Sequence, residues 1–220
     1  MKILVCISQA PDTTSRIAFT DGDTAFDSSG VQYIVNPYDE WYALVRAIEL
    51  KEQQGGTVTT ITIGEAACDP IIRKALAIGA DDAIRVNATP EDSMQVAQLI
   101  SEHAKAGEFD AILCGKETID HNGSVVPAMV AELLDLPFVA LATSLEVENG
   151  IAKMTREVGG GEESVEVALP FVASASKGMA EQRIPNMRGI MSARSKPLNV
   201  AEASADAPTS VSKFTLPPEK

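Results

Sequence analysis

Phe109-Asp110-Ala111-Ile112-Leu113-Cys114-Gly115-Lys116-Glu117-Thr118-Ile119-Asp120-His121-Asn122-Gly123-Ser124 runs straight into the apolar stretch Val125 to Leu134. Phe109 to Cys114 reads as a buried strand and Val125 to Leu134 as a helix, with a polar, Gly-bounded loop between them. Ser124 is expected to cap the helix, and Pro127 fits its first turn. A strand–loop–helix unit of this kind is where an α/β protein places phosphates. The first helical N–H groups have no intrahelical partner, and the helix dipole adds partial positive charge. The stretch therefore points to a nucleotide site at the carboxyl edge of a parallel sheet.

The same alternation extends outward in both directions. Upstream lie a strand at Lys2 to Ile7, a polar loop at Ser8 to Gly30 and a short strand-like run at Val31 to Val35. A helix follows over Tyr38 to Gln54, its stripe of Trp41, Leu44, Val45, Ile48 and Leu50 stopped by Gly55-Gly56. Next come a β-branched strand, Thr57 to Ile63, a helix opened by Asp69-Pro70 and ended by Gly79, and a strand at Ala83 to Val86. A helix over Ser93 to Ala106, with Gly107 as its stop, precedes the opening stretch, and Phe138 to Ala142 closes the series. Strands and helices in this order predict a doubly wound parallel sheet.

The pattern then changes. Leu145 to Glu148 and Ile151 to Arg156 flank Asn149-Gly150, a hairpin signal, and strands are expected at Glu163 to Leu169 and Phe171 to Ala175. These read as antiparallel strands added to one edge of the sheet. From Gly178 onward the chain turns irregular and basic, and Ala201 to Lys220 reads as an arm that stays disordered unless a partner holds it. Residues 1–177, with antiparallel edge strands in 144–175, are thus expected to form one nucleotide-binding domain, and 178–220 a partner-docking loop and C-terminal arm.

Composition narrows the classes. The net charge is −13, opposite in sign to what nucleic acid or an anionic membrane would attract. The apolar run after Met1-Lys2 ends at Ser8-Gln9, too soon for a signal peptide, and no stretch is long enough to span a membrane. Cys6, Cys68 and Cys114 have no metal-like spacing, and a reducing cytosol fits them best.

The loop from Gly115 lacks the Gly-Lys-Ser/Thr ending of a phosphoryl-transfer loop and the GxGxxG of a dinucleotide fingerprint. Asp120, His121 and Asn122 offer hydrogen bonds to a ribose or adenine edge; Gly123 leaves room for a phosphate, and Ser124 adds a hydroxyl. Asn36-Pro37-Tyr38-Asp39 is the second candidate, in which Asn36 either reads a base or holds a loop and Asp39 is a helix-start acid. His121 has no cysteine nearby and no carboxylate dyad, and His103 falls on a polar helix face, so no nucleophile–base pair is expected. Ile184-Pro185-Asn186 places an aliphatic side chain in a polar, Arg-bearing loop, either tucked into the core or exposed to anchor a partner.

Taken together these segments resemble the β subunit of electron transfer flavoproteins, the bacterial members above all. The resemblance covers Met1 to about Pro197 and rests on Lys2 to Cys6, Val35 to Tyr38, Arg73 to Asp81, Gly115 to Asp120, Arg156-Glu157 before the glycines, Leu169-Pro170, Ile184 to Asn186 and Ile190-Met191. It implies an adenine nucleotide alpha hydrolase-like, Rossmann-like subunit that pairs with a separate α subunit. The heterodimer would carry FAD, take electrons from acyl-CoA or other dehydrogenases and pass them to a quinone oxidoreductase or another acceptor. The chain would act as a carrier rather than an enzyme.

The resemblance further implies an AMP in this subunit, or a second FAD in electron-bifurcating relatives. By position the nucleotide would meet Cys6, Ser8, Asn36, Pro37, Tyr38, Asp39, Ile63 and Gly64. It would also meet the loop at Gly115, Lys116, Glu117, Thr118, Asp120, Asn122, Gly123, Ser124, Val125 and Val126. Ile184, with Pro185 and Asn186, takes the place of the family's partner-recognition leucine. Val125 and Val126 stand where the family often has glutamine and threonine, and Gly159 where an aspartate is common. The rival reading is an ATP-binding module of the universal stress protein type, which predicts a flavin-free homodimer.

Overall fold

The computed structural model describes residues 1–37 and 39–218. In chain order the elements are β1 (Lys2–Cys6), β2 (Gln9–Pro11), β3 (Phe19–Thr20), β4 (Ala25–Phe26), β5 (Tyr33–Val35), α1 (Asp39–Gln54), β6 (Thr57–Ile63), α2 (Asp69–Ile78), β7 (Asp82–Asn87), α3 (Ser93–Gly107), β8 (Ala111–Gly115), α4 (Val126–Leu134), β9 (Phe138–Glu148), β10 (Ile151–Val158), β11 (Gly161–Ala168), β12 (Phe171–Ala175), α5 (Met187–Ala193) and β13 (Leu198–Glu202).

One sheet organises the molecule, in the order β11-β10-β9-β12-β8-β1-β6-β7-β13. Strands from β9 to β13 along that order pair in parallel, while β9, β10 and β11 form an antiparallel meander at one edge. The central strands are buried on both faces, β6, β8 and β12 almost throughout, as helices on both sides require. One face packs on α1 and α2, with Leu44, Ile48, Ile72 and Leu76 fully inside. The other packs on α3 and α4 through Leu99, Ile100 and Val130. Each such side chain contributes about 1.5–3 kcal/mol by leaving water. This is the doubly wound α/β sheet that the strand–helix alternation predicts.

Five local expectations are corrected. Phe171 to Ala175 is not an edge addition: β12 lies in parallel between β8 and β9, because a strand apolar on both faces belongs inside the sheet. The runs Phe138 to Ala142 and Leu145 to Glu148 are one strand, β9, which is parallel to β12 and then antiparallel to β10. Val31 to Val35 contributes only β5, paired with β2 in a small separate sheet inside what reads as a plain loop. Helix α3 includes Gly107, and Glu108 takes the left-handed position at φ 51°. The stretch 203–218 is not a free arm. It follows β13 along α3, where Asp92 Oδ2 accepts from both the N–H and the hydroxyl of Thr209. Its Phe214 ring then stacks on Phe19, with centroids 5.0 Å apart.

Candidate functional site

Strand order reverses between β1 and β8. From β1 the chain proceeds to β6 and β7, whereas β8 leads to β12 and β9 on the other side. Connections from the carboxyl ends of these neighbours therefore diverge, and a crevice opens between them. The segment after β1, the start of α1 and the loop after β8 meet there.

Asn36 fastens this rim. It is fully buried, its amide donates to the Glu117 carbonyl at 3.0 Å, and its side-chain oxygen accepts from Ile119 N–H at 3.0 Å. Its own N–H donates to the Ser8 carbonyl. Asn36 thus holds the loop. Ser8 is fixed from the other side: its N–H and its hydroxyl each donate to the Glu40 carboxylate at 2.7 Å. Gly115 permits the contact between β8 and α1, since a Cβ there would lie 2.8 Å from both Glu40 N and Glu40 Cγ. Gly64, at the end of β6, similarly faces Cys68 Sγ, 2.3 Å from where its Cβ would be.

Beyond Glu117 the loop turns sharply. Asn122 and Ser124 adopt φ 48° and 55° on either side of Gly123, and a Cβ on Gly123 would have no neighbour nearer than 3.8 Å. Ser124 is not the helix cap: its hydroxyl donates to Glu117 Oε2 at 3.0 Å. Val125 occupies the N-cap position and supplies no side-chain acceptor. The leading N–H groups of α4 thus lack the capping partner that Asp92 gives α3.

The electrostatics are mixed. Burial pushes the Glu40 carboxyl up to about 8, and the nearby Asp120 and Asp39 act in the same direction. Burial also raises Asp39, partly offset by Lys116. The Cys6 thiol is raised by its hydrogen bond with Cys114 and then by burial, so it is not poised as a nucleophile. Next to the rim lies a hollow of about 240 Å³, lined by Pro37, Asp39, Tyr42, Lys116, Ile119 and Lys177 among others. Lys116 and Lys177 bring positive charge to it.

The crevice thus gathers Ser8, Asn36, Pro37, Asp39, Gly115, Lys116, Glu117, Thr118, Asp120, Asn122, Gly123, Ser124, Val125 and Val126, with Ile63 and Gly64 at the end of the next strand but one from β8. Cys6 reaches the rim only through its backbone, its side chain being part of the core toward α3 and α4. Tyr38 lies outside the described residues. Ile184, Pro185 and Asn186 belong to a different surface, where α5 lies against α2, and Ile184 is 82% exposed. Glu40 and Lys177 escape sequence reading. Glu40 lies three and four residues before Ala43 and Leu44, which puts it on the buried face of α1. Among the described residues no cluster of three or more His, Cys, Asp or Glu side chains forms a metal site, and no helix is long and apolar enough to cross a membrane.

A family model described as the electron transfer flavoprotein domain matches residues 23–206. The chain belongs to the electron transfer flavoprotein β-subunit family. It is 40% identical to the electron transfer flavoprotein subunit beta of Syntrophomonas wolfei, over all of this chain and 87% of the relative. The corresponding protein of Bacillus subtilis is 37% identical over 92% of this chain and 79% of its own length. An acryloyl-CoA reductase electron transfer subunit gamma from Anaerotignum propionicum is 29% identical over all of this chain.

Proposed function

We propose that this chain is the β subunit of a cytoplasmic, FAD-containing heterodimer that carries electrons from acyl-CoA or other dehydrogenases to a quinone oxidoreductase or another acceptor. Its own crevice holds an adenine nucleotide, AMP in the simplest case. The carrying observation is the start of α4, a set of uncapped helical N–H groups at the switch point of the sheet. Such a terminus suits a phosphate, with Gly123 open beside it.

Asn36 and Glu40 hold the walls, and the backbone of 36, 37 and 39, of 63–64 and of 115–126 supplies the contact surface. FAD, when bound with the α subunit, supplies the redox chemistry; this chain shapes one side of its pocket and excludes water. The segment after 177 serves docking through Ile184, Pro185 and Asn186, while its β13 completes the sheet beside β7. The rival stress-protein reading requires a flavin-free homodimer and gains no support from the relatives.

Gly123→Val tests the nucleotide reading, since its side chain would fill the space left for the phosphate. AMP affinity of the two-subunit complex, measured by titration calorimetry, is expected to fall at least tenfold. An unchanged affinity would refute the placement.

A further inference from the structure

Two helices on this surface cap each other. Arg73 of α2 donates from Nη1 to the carbonyls of Ala193 and Lys196, at 2.8 and 2.7 Å, where α5 ends. Lys196 returns the contact: its ammonium donates to the carbonyls of Leu76 and Ala80 where α2 ends. Each helix C-terminus, with its unpaired carbonyls and partial negative charge, thus receives a cation from the other segment. Between the two contacts Gly189 meets Ala77 so closely that a Cβ would stand 2.3 Å from the Ala77 carbonyl oxygen. The segment is also tied at its start, where the Arg183 guanidinium grips both oxygens of Glu52 at 2.8 and 3.0 Å.

Between these ties the side chains face solvent. Ile184, Met187 and Met191 are 82%, 73% and 68% exposed. Three large apolar residues left uncovered on a segment pinned at both ends form a pre-ordered patch. A patch that is already ordered avoids much of the conformational cost of association.

We propose that Arg73 and Lys196 are positioning residues for partner docking: their reciprocal clasp fixes α5 on α2 so that Ile184, Met187 and Met191 meet a dehydrogenase as one surface. This rests on the docking role proposed above for Ile184. It also gives the Arg73 to Asp81 stretch a task away from the nucleotide crevice.

The test uses the full chain co-expressed with an electron transfer flavoprotein α subunit, and an acyl-CoA dehydrogenase with its acyl-CoA as the probe. Calorimetry gives Kd for the dehydrogenase, and steady-state flavin reduction gives KM and kcat. Arg73→Ala is expected to raise Kd and KM about tenfold, equivalent to about 1.4 kcal/mol, while kcat, flavin content and reduction by dithionite stay within twofold. Arg73→Lys recovers part of the loss. Because Arg73 acts through the apolar patch, Arg73→Ala has a smaller effect when added to Ile184→Ala than alone, the remainder passing through Met187 and Met191. Lys196→Met takes the same assays should Arg73→Ala fail to fold. A raised KM for Ile184→Ala with none for Arg73→Ala and Lys196→Met overturns the clasp and leaves docking standing. Fully multiplicative effects in the double variant overturn the clasp as well. Flat responses from all of them overturn the docking role itself.

Discussion

Replacing Glu40 with Gln should change how stability depends on pH. Glu40 is only 6% exposed, and its carboxylate takes both the N–H and the hydroxyl of Ser8. Burial nonetheless dominates, and it raises the group from 4.5 to about 8. The folded chain therefore binds this proton more tightly than the unfolded chain does. The resulting stabilisation is complete below pH 4.5 and is lost as pH rises through about 8. A rise of that size corresponds to about 5 kcal/mol across the window. Gln keeps the volume and one acceptor, removes the ionisation, and costs about 1 kcal/mol for the altered Ser8 contact. Urea unfolding of nucleotide-free chain at half-unit steps from pH 4.5 to 9 measures both proteins. Glu40→Gln should be slightly less stable than wild type near pH 4.5 and clearly more stable at pH 9. A constant difference between the two curves would show that Glu40 is not held in its neutral form, and the reasoning would fail.

Asn36→Ala leaves the Ile119 N–H and the Glu117 carbonyl without their partner; it should cost about 2–3 kcal/mol in urea unfolding and speed amide exchange at 117–119. Gly115→Ala forces a methyl into Glu40 at the β8–α1 contact, with an expected loss of about 1–3 kcal/mol, read as a lowered Tm. Phe214→Ala removes the stack on Phe19, worth about 1 kcal/mol beyond the buried area; limited proteolysis within 203–218 should then accelerate.

The sheet was legible because its signals are local and redundant. Thr57 to Ile63 is β-branched throughout, Pro70 and Gly79 bracket α2, and Asn149-Gly150 marks the hairpin. Phe171 to Ala175 was misplaced because periodicity reports which faces are buried, not which strands are neighbours. Its position beside β8 depends on pairing with residues some 60 positions earlier in the chain. The arm was misjudged for a similar reason: the partners of Thr209 and Phe214 are Asp92 and Phe19, contacts that composition does not encode. At the crevice, the Gly115 loop and Asn36 were visible as turn chemistry. Ser124 was misread as a cap because the left-handed backbone at Asn122 and Ser124 moves the helix start to Val126. Glu40 stayed hidden, since a helix-start acid and a buried carboxyl look alike until the strand beneath them is known.

The direct test of the nucleotide crevice is to purify this chain with an electron transfer flavoprotein α subunit, denature the complex, and identify the released small molecules by mass spectrometry. The account predicts a yellow complex of two different chains that yields FAD and one AMP, or a second FAD in its place. A colourless homodimer, or a yellow complex that releases only a single FAD and no second nucleotide, would contradict it.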